Sequence, residues 1–544
     1  TGAYTVTLLH ALHHHTDALA DNTEASAFFN LTFTVIDSNG TEANGKLSLE
    51  INDDTPIALP SQPHDTVVSG EGEGGSTTHY ATIDDEGQAG GNIGGVGDDP
   101  GQSTSVAGTL DIAPGADGLK AVAFTNMDGV PQVLVTADDG SHPALRAVYV
   151  DPATGLGTIE DVTLSWHSDG AGGGTLTGAS EHIAQVFTIK VDAAGNYTYT
   201  AFAPLAHPLT SNGGEEGGTT SFEDNLRLAF SYTATDGDGD RATSTLTINV
   251  DDDSPVINPA ENSSLRDWTL DEDRLSGGND AYDNPPDTND YTVLADKDLG
   301  IHWGADGIGS LKFSASDAEH PTISITDQNG TPITTPLSSN GVDLVYEITQ
   351  NADGGQTLTA TKGANGPTIF TLTLDPNAGP TGTFTFSLQG HLDHPDGDGE
   401  NRLDLNFSFI ATDGDGDAVS SNIVIRVTDD RPYLIDKGVV DATVNENDIF
   451  TAWSQGSSPF DGHTELATGA AITTGHLAGL VAPGADTPLT WGFVSDQQAI
   501  AYMESLGLFS KQTALPDNGQ SLTYTVTHVG GDVVLSAYEP ATPG

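Results

Sequence analysis

Residues 403–427 read LDLNFSFIATDGDGDAVSSNIVIRV, and residues 226–250 read LRLAFSYTATDGDGDRATSTLTINV. In both, apolar side chains alternate on either side of an acidic, glycine-rich turn. Leu403, Leu405, Phe407 and Phe409 precede one turn and Ile423, Ile425 and Val427 follow it; Leu226, Leu228, Phe230 and Tyr232 precede the other, with Leu246, Ile248 and Val250 after it. Period-two alternation across a short turn predicts an antiparallel hairpin with one buried face. Such a face must be covered by a second sheet. The expected fold class is therefore all-β: tandem antiparallel, immunoglobulin-like β-sandwich repeats laid end to end. A degenerate third copy, FNLTFTVIDSNGTEANGKLSLEI at 29–51, predicts a third hairpin.

The turns themselves carry chemistry. Asp236, Asp238, Asp240 and Asp413, Asp415, Asp417 place carboxylates on alternate residues, with glycines between them that let the backbone curl. Such a set can converge on a hard cation that takes six to eight oxygens, and calcium is the expected ion. The degenerate copy keeps Asp37 and Asn39, with Thr41 in place of the third carboxylate. An EF-hand loop requires Gly at its sixth place and Glu at its twelfth. Those places hold Arg241 and Thr247, or Ala418 and Val424, and the flanks are strands. The predicted site is a hairpin tip.

Each copy closes with an acidic pair, Asp53-Asp54, Asp252-Asp253 or Asp429-Asp430, with a proline just after it that halts the ladder. Acidic residues return further on, at Glu272 within LDED and at Glu446 within VNEN; at the first joint both Glu71 and Asp85 fit that place. One expectation is a cation shared between the end of one unit and the start of the next, joining Asp252 or Asp253 to Glu272 and Asp429 or Asp430 to Glu446. Solvated linker charge is the competing reading.

Further matches define the unit. Gly115-Ala116-Asp117, Gly304-Ala305-Asp306 and Gly484-Ala485-Asp486 recur, as do His14, His207 and His394 beside an apolar strand. The acidic turns lie 177 residues apart, and the Gly-Ala-Asp aspartates 189 and 180 apart, so the unit is near 180 residues. The expected organisation is a closing half at 1–59, complete units at 60–256 and 257–434, and an opening half at 435–544. That out-of-phase order predicts a window of a longer polypeptide.

Formal charge is −62, from 16 Lys+Arg against 78 Asp+Glu, which disfavours nucleic acid and anionic membrane as partners. Zero cysteines exclude disulfides and Cys-ligated zinc, and no apolar run reaches the ~20 residues that span a bilayer. The recurring histidines read as structural turn residues and Trp303 as core. Gly94–Asp99 matches a nonapeptide calcium-roll pattern once, too few times to build a roll. The single helix candidate is DQQAIAYMESL, Asp496 to Leu506, with Asp496 as cap. Catalytic signatures are absent: Gly178 to His182 lacks the last glycine of a nucleophile elbow, and no zinc-protease or phosphate-loop motif occurs. An enzyme is not expected.

The order of aromatic strand, Leu-x-His-Pro, alternating strand, Ala-Thr-Asp-Gly-Asp-Gly-Asp, strand and Asp-Asp-x-Pro resembles the large repeats of RTX adhesins exported by type I secretion. The resemblance covers essentially the whole chain and is most specific in the closing halves. It implies calcium at Asp236, Asp238, Asp240, Asp413, Asp415 and Asp417, an extracellular place on a bacterial surface, and a role in attachment and biofilms. It also implies two alternative roles, a calcium-stiffened spacer contacting neighbouring repeats or a module that itself binds peptides or glycans through calcium.

Overall fold

The computed structural model describes residues 2–12, 26–61, 81–93, 103–209, 224–263, 269–280, 290–352, 354–395, 399–435, 440–442, 444, 474–510 and 520–539. Glu446, Glu71, His14 and Gly94–Asp99 lie outside them. The fold is almost all β. Among the described residues no helix is long and apolar enough to cross a membrane.

Two sandwiches repeat one plan. In the first complete unit the hairpin Asn225–Asp236 and Arg241–Asp251 forms the centre of one sheet. Facing it is a five-stranded sheet whose inner strands include Phe187–Val191 and Asn196–Ala201. In the second unit the hairpin Arg402–Asp413 and Ala418–Thr428 faces a sheet containing Thr368–Asp375 and Thr383–Leu388. Burial along Arg402–Asp413 alternates at every residue, as its period-two pattern requires. Each unit has its own core, and one aromatic trio recurs in both. Phe187 stacks on Tyr199 at 5.3 Å and meets Phe230 edge-on at 5.4 Å; Phe370 stacks on Phe386 at 5.2 Å and meets Phe407 edge-on at 5.8 Å. Trp303 lies in the second core, 7% exposed.

The sheets are antiparallel as expected, with one short parallel opening strand added in each unit: Ala81–Asp84 pairs parallel with Arg241–Asp251, and Thr269–Asp271 pairs parallel with Ala418–Thr428. A unit's opening strand therefore runs in the same direction as its closing strand, and both point to the same end of the sandwich. The hairpin Ser26–Ile36 with Glu42–Asn52 pairs in register as expected, but Phe29, Leu31 and Phe33 are 45–55% exposed. No second sheet covers it among the described residues. The helix spans Asp496–Ser505 and its cap is Ser495, whose hydroxyl accepts from the Gln498 amide; Asp496 sits in the first turn instead.

Candidate metal centres at the joints

The two acidic tips have the same local geometry. Asp236 Oδ1 accepts from the amides of Gly239 and Asp240 at 3.0 and 2.8 Å, and Asp413 Oδ1 accepts from Gly416 and Asp417 at 3.0 and 2.8 Å. The fold of the turn depends on Gly239 and Gly416, at φ +120° and +124°. One oxygen of the leading aspartate thus holds the turn, while Asp236 Oδ2 and Asp413 Oδ2 are buried without a hydrogen-bond partner.

These tips do not face solvent. The tip of the second unit seats against the far end of the first, where the His207 amide donates to Asp415 Oδ2 at 2.8 Å. Asp252, Asp253, Asp84 and Asp85 come to this joint from the first unit, and Asp306, Asp413, Asp415 and Asp417 from the second. Most of these side chains are fully buried. Asp306 is 0% exposed and neither of its carboxylate oxygens has a hydrogen-bond partner; Asp85 Oδ1 and Asp415 Oδ1 are likewise orphaned. Burial, followed by the neighbouring carboxylates, raises the pKa values of Asp252, Asp306 and Asp413 well above the usual range. Asp253 is pushed up to about 7, again chiefly by burial.

At an effective dielectric near 20, two carboxylates about 5 Å apart repel by roughly 3 kcal/mol. A few such pairs cancel the ~5–15 kcal/mol by which a domain is stable. The cluster therefore requires protons or a cation; its carboxylates fit calcium, and His207 lies with Asp252 and Asp415, ligand atoms within 4.8 Å of one another. The joint before the first unit is built likewise: ligand oxygens of Asp53, Asp238 and Asp240 lie within 4.8 Å of one another, and Asp117 faces Asp238, Asp54 and Asp53.

The second aspartate of each closing pair has a different task. Asp54 accepts from the Ala116 amide at 2.8 Å, Asp253 from Ala305 at 2.5 Å, and Asp430 from Ala485. It thereby caps the Gly-Ala-Asp turn of the following unit. Gly115, Gly304 and Gly484 all have positive φ, and a Cβ on any of them would strike that carboxylate. The repeated Gly-Ala-Asp is thus a docking turn, and its Asp117, Asp306 and Asp486 enter the acidic clusters. Asn92 and Asn279, each after a Gly-Gly pair, tie the exit of the closing pair by donating to Ser254 O at 2.9 Å and Arg431 O at 2.6 Å.

Glu272 is not where the sequence pairing put it. It lies with His394 and Asp429, ligand atoms within 4.8 Å, at the far end of its own unit. The parallel strand Thr269–Asp271 carries it there, beside Thr428. The acidic tip against Asp252 lies at the other end of an 11-residue strand, some 35 Å away. Asp85 occupies the equivalent place in the first unit. Its Oδ2 accepts from the Leu205 amide at 2.8 Å, as Glu272 Oε1 accepts from Leu392 at 2.8 Å, so both carboxylates hold the Leu-x-His-Pro turn. Asp37 and Asn39 lie on an exposed tip where Asp37 Oδ1 accepts from the Asn39 and Thr41 amides; no second unit's carboxylates join them among the described residues.

Asp306, Asp117, Asp486, His207 and His394 are absent from the expected ligand set. Their recurrence at fixed frame was the available signal, but a repeated Gly-Ala-Asp or His-Pro is also what a plain turn looks like.

Residues 80–249 match a family described as a domain of unknown function (DUF5801). No curated protein matches the chain. Solved structures with some likeness include the protocadherin gammaB4 extracellular domain, at 11% identity and TM-score 0.15, covering 77% of this chain and 57% of that one. Protocadherin gamma B7 cadherin domains 1–4 align at 9% identity and TM-score 0.12, covering 75% and 92% of the two chains. The human desmocollin-1 ectodomain aligns at 11% identity and TM-score 0.12, covering 76% and 71%.

Proposed function

We propose that this chain is a calcium-stiffened repeat region of a large extracellular adhesin of the bacterial surface, of the RTX type. The observation that carries the reading is the joint, where buried carboxylates from two consecutive units converge with oxygens left unpartnered. A cation bound there takes ligands from both sides and couples the two bodies. Without it, repulsion acts across the joint itself. The direct amide bonds from Ala116, Ala305 and Ala485 set the register of docking, and the cation supplies stiffness. Asp306 and Asp413 are buried, so neither offers an open face to a ligand's carboxylate, which favours the spacer over the peptide- or glycan-binding alternative.

Small-angle scattering tests the reading. Maximum dimension should fall on chelation and recover with calcium, and the double variant Asp413→Asn, Asp415→Asn should be shorter in calcium than the parent. A scattering profile indifferent to both would defeat it.

A further inference from the structure

The joint after the second complete unit differs in chemistry from the one before it. At the earlier joint, both ring nitrogens of His207 face oxygens. Nδ1 lies 3.1 Å from Leu205 O and 3.0 Å from Asp252 Oδ1, and Nε2 lies 3.3 Å from Val250 O. Both ring nitrogens of His207 thus have oxygen neighbours, although the ring also lies with Asp252 and Asp415, ligand atoms within 4.8 Å of one another.

His394 stands otherwise. Its Nδ1 is 3.1 Å from Asn401 Oδ1, and Asn401 is oriented by its Nδ2 donating to Pro395 O at 2.8 Å. The Asn401 oxygen therefore faces the ring and accepts, so Nδ1 carries the hydrogen. Nε2 is then a bare acceptor, in a side chain only 2% exposed, and it has no hydrogen-bond partner. It points at Glu272 Oε1 from 3.5 Å; Glu272 is 0% exposed and its Oε2 is also orphaned. Two buried acceptors face each other. Asp429 completes the group. On the other flank of Glu272, His391 pairs with Asp486 from the following unit. A ring whose far nitrogen is held by an outer acceptor, with the near nitrogen free among carboxylates, is the arrangement of a metal-ligating histidine. Calcium takes oxygens, whereas imidazole with carboxylates suits zinc and its first-row neighbours.

We propose that this joint holds one transition-metal ion of the zinc class through His394 Nε2, Glu272 and Asp429, with His391 and Asp486 available from the far side. The proposal rests on the joints being cation sites and adds that neighbouring joints choose different metals.

Cobalt(II), a spectroscopic stand-in for zinc, is titrated into the metal-stripped 544-residue chain in excess calcium. One equivalent should bind with a visible ligand-field band and an exchangeable, hyperfine-shifted imidazole N–H resonance, the hydrogen on Nδ1. His394→Asn should weaken binding at least tenfold and abolish that resonance, while His207→Asn changes neither. The resonance is read on the parent chain, so a folding defect in the variant does not blunt the test. No cobalt binding in calcium, no shifted imidazole signal, or equal loss in both histidine variants overturns the assignment. The calcium reading is decided separately by scattering: calcium stiffening without cobalt binding sinks only this site, and cobalt binding without calcium stiffening sinks only that reading.

Discussion

The joints on either side of the second sandwich share a plan and differ in what fills it. Both have a closing aspartate pair, a Leu-x-His-Pro turn held by a carboxylate, and a Gly-Ala-Asp turn docked from the next unit. In one, both ring nitrogens of the histidine meet oxygens, those of Leu205, Val250 and Asp252, and the second unit's acidic tip fills the cluster; in the other, Nε2 of the histidine has no hydrogen-bond partner. On the proposed assignments, a repeat holds its geometry through backbone capping while the cation chemistry of each joint changes with one or two side chains.

The largest expected effect tests whether cations matter to folding at all. A cation at a thousand times its dissociation constant stabilises by about 4 kcal/mol. For units of this size about 1 kcal/mol moves the melting temperature by roughly 2–4 °C. Chelation should therefore lower melting by about 10 °C, with magnesium restoring little because it demands tighter octahedral geometry. Superimposable melting curves in calcium and chelator would break the comparison at its root.

Next in size is the docking turn. Gly304 at φ +85° and Gly330 at φ +78° are equally strained by a side chain, but a Cβ on Gly330 meets nothing, while one on Gly304 meets Asp253 Oδ2 at 2.9 Å. Gly330→Ala should cost about 1 kcal/mol from backbone strain alone. Gly304→Ala should cost roughly twice as much or more, because it also displaces the carboxylate that accepts from Ala305. Equal melting temperatures for the two variants would show that this bond contributes nothing to the joint.

The hairpins were legible because a half-buried strand writes its environment at every second residue, and Leu403, Leu405, Phe407 and Phe409 are all in the core. The carboxylates of the tips were legible for the same local reason. Where Glu272 sits was not. Its position depends on the parallel pairing of a three-residue strand, too short for any period and decided by topology. The difference between His207 and His394 lies further still from the sequence, since both precede proline in the same frame and are separated only by which atoms each ring meets. The exposed face of Phe29, Leu31 and Phe33 is the converse case, where the pattern marks a face and the described residues place no sheet on it.

A smaller effect is expected from pH. Asp253 and Asp429 are pushed up to about 7, burial being the largest cause in each. Unfolded, they titrate near the ordinary 3.8. The folded, cation-free protein therefore holds protons that the unfolded chain has shed. Their contribution is fully present below the unfolded value and lost as pH rises through about 7. In chelator, melting should rise by a few degrees from pH 8 to 6.5. In calcium the share due to Asp253 should vanish, since a bound cation keeps it ionised, while the share due to Asp429, at the joint assigned to a zinc-class ion, should persist. Below that window His207 and His394, whose pKa values are lowered first by burial, oppose the trend. A flat profile in chelator would mean that the closing aspartates are not the groups under strain.

The smallest effect separates a tip in a joint from a tip in solvent. Asp37 and Asp413 occupy the same place in their hairpins, and each uses one oxygen to hold its own turn. Asp413 Oδ2 is buried and orphaned among carboxylates from two units, whereas Asp37 is exposed. Asp37→Asn keeps an acceptor for the turn and removes a charge that solvent already screens, so stability should move by no more than about 0.5 kcal/mol and calcium stoichiometry should not change. Asp413→Asn keeps the same acceptor but removes a charged ligand, and should lower the calcium count at its joint. Calorimetric titration of both variants reads the difference directly. If Asp37→Asn also lost a calcium, the local Asp-x-Asn turn would suffice to bind the ion and convergence of two units would be unnecessary; if neither lost one, the ligands would lie among the closing pairs and the docking-turn aspartates.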